Sequence, residues 1–111
     1  MAKIKGIEFD FPDGTLILPP LSLGDLELLQ ERLATLDLSK PDKTNVGTAI
    51  DAAHAALTRN YPEMTRAQVA KLIGLENMID VLEAVMDVSG LKRKQIEAAK
   101  KAESAAGSSS N

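Results

Sequence analysis

The segment Leu57–Leu91, LTRNYPEMTRAQVAKLIGLENMIDVLEAVMDVSGL, decides the fold, because helix starts, helix stops and apolar faces are concentrated in it. Tyr61-Pro62 ends any helix before it, since proline disfavours helical geometry in the preceding residue and cannot donate the next backbone bond. A new helix then begins at once. Thr65 followed by Gln68 matches a capping box, and Met64 and Val69 occupy the two positions of a hydrophobic staple, which sets the angle at which the chain enters the helix. Gly74 suits a left-handed residue that ends this short helix. Gly90 repeats the device after a longer one, where Leu91 is placed to fold back on Met86.

The longer helix is expected from about Glu76 to Ser89. At about 100° per residue, Leu75, Met78, Ile79, Leu82, Val85 and Met86 gather on one side, and Val81 and Val88 widen the arc to about half the circumference. Glu76, Asp80, Glu83 and Asp87 form a narrow acidic stripe opposite. Like charges three and four residues apart disfavour an isolated helix by about a few tenths of a kcal/mol per pair. The stripe reads either as a solvated face or as a docking face for a basic partner. The apolar arc is equally two-sided: it can pack on the preceding helices, or lend part of itself to contacts with other chains.

Upstream, Ile7, Phe9 and Phe11 alternate with polar positions, Pro12-Asp13-Gly14 signals a turn, and Leu16 and Leu18 resume the alternation, which predicts a β-hairpin. Pro19-Pro20 stops its second strand, because neither residue can donate to a ladder. A lone hairpin is marginal in water, so its apolar side must lie on the helices or pair with another subunit. Ser22 reads as an N-cap, with Asp25 and Glu27 near the positive end of the helix dipole. Leu26, Leu29, Leu33 and Leu36 then make one helical stripe, to about Asp37. LSKPDKTN, residues 38–45, has loop composition and contains Pro41. Thr44 or Asn45 is expected to cap a second helix running to about Asn60, with Val46, Ala49, Ile50, Ala53 and Leu57 on its apolar face. The predicted fold is thus mainly α: a small helical domain of about four helices preceded by an N-terminal β-hairpin, spanning residues 1–91. Beyond it, KRKQIEAAKKAESAA offers only Ile96 as a large apolar anchor, so residues 92–111 are expected to form a flexible or partly helical charged tail.

Composition narrows the function classes. A hydrophobic content of 44% suits one globular domain of this length, and two Phe, one Tyr and no Trp make the core aliphatic. Without cysteine there is no disulfide and no thiolate metal site. MAKIKGIEFDF lacks the apolar run of a secretory signal, and no later run approaches the roughly 20 apolar residues that span a bilayer, so a soluble, cytoplasmic protein without membrane attachment is expected. A net charge of -3 gives no overall attraction to nucleic acid. Lys92, Arg93, Lys94, Lys100 and Lys101 all follow Gly90, so the preceding body is more acidic than the total. Gly-rich phosphate loops, metal-ligand clusters and a nucleophile paired with histidine are missing, which predicts no enzyme, no metal and no cofactor. The single histidine, His54, stands beside an apolar face without a ligand partner and reads as structural or solvent-facing. The helices flanking Gly74 present no basic face, which argues against a helix-turn-helix.

Ala55-Ala56-Leu57-Thr58-Arg59-Asn60-Tyr61-Pro62, Val69 to Leu75, Val81-Leu82-Glu83-Ala84-Val85-Met86 and Ser89-Gly90-Leu91, in that order, resemble the tail assembly chaperones of long-tailed bacteriophages and prophages. Asp13-Gly14, Leu18-Pro19-Pro20-Leu21 and the Leu-rich first helix are similar to the start of such proteins, so the resemblance covers roughly residues 5 to 91. It implies a non-enzymatic protein that binds the tape measure protein, keeps it soluble, helps tail-tube protein assemble around it in the host bacterial cytoplasm, and is absent from the finished virion. Self-association is a further expectation from the family. Many such chaperones also have a longer product made by ribosomal frameshifting; Ala99-Lys100-Lys101 is compatible with the slippery codons GCA-AAA-AAG, which the nucleotide sequence tests. Within this reading, Met78, Leu82, Val85 and Met86 are the candidates for apolar contact with the partner, since methionine adapts to varied surfaces. Glu76, Asp80, Glu83 and Asp87 are the candidates for electrostatic orientation. Core packing is the competing assignment for the first four. The competing function is a small helical structural adaptor or regulatory protein–protein interaction module of a phage or bacterium.

Overall fold

The alternating residues near the N-terminus form β1 (Ile7–Phe11), which pairs antiparallel with β2 (Gly14–Leu18), Ile7 lying opposite Leu18 and Phe11 opposite Gly14. Four helices follow: α1 (Leu23–Ala34), α2 (Lys43–Leu57), α3 (Arg66–Leu72) and α4 (Met78–Val88). This is a computed structural model, and it describes residues 4–37, 39–40 and 42–90. The expected tail from 92 onward, Pro41 in its loop, and the contact of Leu91 with Met86 fall outside the described residues. The expected class, a mostly helical fold with a hairpin in front, is the one observed.

Helix α2 is the hub. It touches α1, α3, α4 and β2, and its alanines explain how: Ala49, Ala52, Ala53 and Ala56 are all fully buried, so neighbouring backbones approach it closely. Leu57 closes its apolar face at the C-terminal end, and α4 lays Val81, Leu82 and Val85 into the same core, each with no exposed surface. Removing each such aliphatic side chain from water contributes about 1.5–3 kcal/mol. The hairpin adds Phe11 and Leu18 to this core, and α1 adds Leu29 and Leu33. One close approach needs glycine: a Cβ on Gly6 would collide with the Leu18 carbonyl.

Several helix ends differ from expectation. Ser22 caps α1 as predicted, accepting from the Asp25 N–H at 3.1 Å, but the helix stops at Ala34, short of Asp37. Leu36 is buried all the same, from the turn beyond the helix. The cap of α2 is Asp42, whose carboxylate accepts from the Asn45 N–H at 2.9 Å, rather than Thr44 or Asn45. Asn45 has other work: its Oδ1 accepts from the Asp37 N–H and its Nδ2 donates to the Lys40 carbonyl, pinning the α1–α2 connection from inside. The capping box of α3 is present in both directions, and Met64 and Val69, the staple residues, both join the core.

Gly74 is not left-handed. Of the described glycines, only Gly14 and Gly90 have positive φ, at 143° and 76°. Helix α3 instead leaves helical geometry through an extended Ile73. Asn77 then closes the connection, accepting the Gly74 N–H at 2.8 Å and donating to the Leu72 carbonyl at 3.2 Å. As a result α4 starts at Met78, and Leu75 and Glu76, expected on its two faces, sit in the preceding turn.

Candidate functional site

Helix α4 buries the centre of its apolar arc, while Ile79 and Val88 at its margins stay half-buried. Met78, Leu82, Val85 and Met86 are at most 4% exposed and belong to the shared core. Core packing, the competing assignment, is where the folded chain places all four. Leu75 parts from the arc and is 71% exposed, because the turn at 75–77 carries it off the helix. The acidic row is also shorter than expected. Asp80 and Asp87 are exposed and Glu83 is half-buried on α4, whereas Glu76 precedes the helix and lays its carboxylate over Gly74.

The surface that remains open lies elsewhere. The tip of the hairpin, the turn after α2 and one side of α3 enclose a cleft of about 730 Å³. Its apolar surface comes from Phe11 and Leu16 of the hairpin, Tyr61 and Met64 of the turn, and Leu72 of α3. Asp13, Glu63, Gln68 and Lys71 supply the polar lining. Phe11 is buried, while Leu16, Tyr61, Met64 and Leu72 are half-buried: each packs against the core and keeps some surface toward the cleft.

Local bonds hold the cleft in shape. The Tyr61 hydroxyl accepts the Ile17 N–H at 2.9 Å, fixing the turn to β2. The next residue back, Asn60, grips the chain ahead of β1: the Ile4 N–H donates to Asn60 Oδ1 at 2.6 Å, and Asn60 Nδ2 donates to the Ile4 carbonyl at 2.9 Å. Of the two roles open to His54, the structural one is observed. Its Nε2–H donates to the Met64 carbonyl at 3.1 Å, which ties α2 to the wall of the cleft and selects the Nε2-protonated tautomer. Phe9 and Phe11 stack at a tilt on the hairpin, with ring centroids 4.8 Å apart.

A cleft of this size, lined by apolar side chains with polar and charged ones among them, suits an amphipathic helical or extended segment of another chain. Sequence reasoning missed it. The signal was the cluster Tyr61-Pro62-Glu63-Met64, which reads locally as a helix break and staple while also supplying cleft wall. Two other exposed leucines do not extend the surface into a stripe: Leu23 and Leu28 are five residues apart on α1, about 140° around the helix. Among the described residues no three His, Cys, Asp or Glu side chains are grouped to hold a metal ion, and no helix is long and apolar enough to cross a membrane. No family model matches the chain, and no curated protein or solved structure matches it.

Proposed function

We propose that this protein is a tail assembly chaperone of a long-tailed phage or prophage, acting without chemistry in the host cytoplasm to bind the tape measure protein, keep it soluble and promote tail-tube assembly. The ordered resemblance of residues 5 to 91 motivates the reading, and the observation that carries it structurally is the cleft of half-buried apolar side chains between the hairpin tip and α3. A tape measure protein exposes apolar helical surface before the tube encloses it. Leu16, Met64 and Leu72 offer a complementary surface that is already formed, so binding costs little reorganisation of the chaperone.

The acidic residues Asp80, Glu83 and Asp87, with Glu76 in the turn before them, are assigned to orienting a basic stretch of the client. Met78, Leu82, Val85 and Met86 act indirectly, by seating α4. Co-expression with the large helical protein encoded nearby tests the reading. The native chain should keep that protein in the soluble fraction, and Leu16→Asp combined with Leu72→Asp should lose this effect while circular dichroism stays helical. A client that stays soluble with the double variant sinks the cleft assignment, and one that is insoluble even with the native chain favours the adaptor reading.

A further inference from the structure

The surface over the middle of α2 is distinct from the cleft. Lys43, Gly47 and Asp51 recur at every fourth residue and so share one stripe of this helix. Arg32 of α1 and Arg66 of α3 both reach it. Asp51 accepts from each: Arg32 Nη2 lies 2.8 Å from Oδ2, and Arg66 Nε lies 2.5 Å from Oδ1. Among the described residues Asp51 is the sole carboxylate paired with either arginine. Two guanidinium groups against one carboxylate leave an excess positive charge, on a chain whose net charge is -3.

Gly47 makes this more than a clamp between helices. Glycine is the poorest helix former after proline, so its place in the interior of α2 asks for a reason. Packing does not supply one: a Cβ there would stand 3.8 Å from Arg66 Nη2 and 3.9 Å from Arg32 Nη2, which is ordinary contact. The missing side chain leaves a space bounded by the α2 backbone and two converging guanidinium groups. Each guanidinium has five N–H donors and spends only part of them on Asp51, so both retain donors for a second acceptor. Their side chains are 43% and 50% exposed, which leaves the space open to solvent.

We propose that Arg32 and Arg66 form an oxyanion site above Gly47, of a kind that takes a carboxylate or phosphate group, with Asp51 as the positioning residue that holds the two guanidinium planes in place. The site stands independently of the cleft and of the chaperone reading.

Nuclear magnetic resonance on the full chain tests it, with inorganic phosphate and acetate titrated separately against sodium chloride at equal ionic strength. Saturable shifts at the Gly47 amide and at the Nε–H of Arg32 and Arg66, in the millimolar range, are the expected result. Saturation by phosphate alone identifies a phosphate group, by acetate alone a carboxylate, and by both the shared charge. Drift indistinguishable from chloride in both titrations overturns the proposal. Gly47→Ala separates the site from the fold: the melting temperature should rise, because alanine is the better helix former, while anion binding weakens by about tenfold or more. A lower melting temperature would show that packing does demand glycine, and undiminished binding would place any anion elsewhere; either outcome removes the site from Gly47. Arg32→Gln, checked for unchanged helicity, should abolish saturation, and saturation that survives it also overturns the proposal.

Discussion

The α2–α4 seam and the cleft beside α3 use similar side chains to opposite effect. In the seam, the alanines of α2 let α4 settle so closely that Val81, Leu82 and Val85 lose all contact with solvent. In the cleft, Leu16, Met64 and Leu72 reach the same core from its edge and stay half-buried. Hydrophobicity alone does not separate the two; the size of the residues opposite does. Small residues facing large ones close an interface, whereas Tyr61 and Met64 prop the hairpin tip and α3 apart.

Breaking the seam should be the most damaging change. Leu82→Ala removes buried volume between two helices and is expected to destabilise the protein by about 2–5 kcal/mol in urea unfolding. A loss below about 1 kcal/mol would mean that the seam can relax, and the contrast with the cleft would fail. Tyr61→Phe acts on the prop. It deprives the Ile17 N–H of its acceptor, so stability should fall by about 1 kcal/mol, and hydrogen exchange at that amide should accelerate. Thr65→Ala opens the capping box of α3 and is expected to cost about 1 kcal/mol, loosening one wall of the cleft and leaving the seam protected from exchange.

The smallest effect concerns pH. Burial by itself would raise the Asp51 carboxyl, but the hydrogen bonds from Arg66 and Arg32, helped by their charges, outweigh it and hold the group below its ordinary value of 3.8. A depressed carboxyl contributes stability that is fully present above the unfolded value and lost as pH falls through the folded one. Asp51→Asn should therefore lower stability slightly at neutral pH, and its difference from the native chain should shrink as pH drops below about 3.8. Acid titration followed by circular dichroism measures that difference. A gap that widens with acid would reverse the assigned sign.

Much of the fold was readable wherever a local signal has one physical meaning. Ser22 and the Thr65–Gln68 pair can satisfy helix N–H groups only as caps, and Pro12-Asp13-Gly14 turns the chain between alternating strands. Where one residue serves distant structure, local reading went astray. Asn45 looks like a cap, yet the α1–α2 connection claims its side chain, and Asp42 caps instead. Gly74 looks like a left-handed stop, but Asn77 closes that turn without needing one. The amphipathic period of α4 announced a broad apolar face correctly. It carried no information on whether the alanines of α2 would cover that face, so the four apolar candidates on it proved to be core. The cleft was illegible for the same reason, since its walls are separated by more than forty residues and meet only in the folded chain.

That separation has a consequence in time. A solitary two-stranded hairpin is barely stable in water, and the side chains that clasp this one, Asn60 at Ile4 and Tyr61 at Ile17, lie 56 and 44 residues further along the chain. On the ribosome, β1 and β2 emerge before the helices and must wait until α2 and the turn after it have been synthesised before either clasp can engage. The hairpin should be the last part of the molecule to become protected in a pulse-labelled refolding experiment, and the cleft, which needs its tip, should form no earlier.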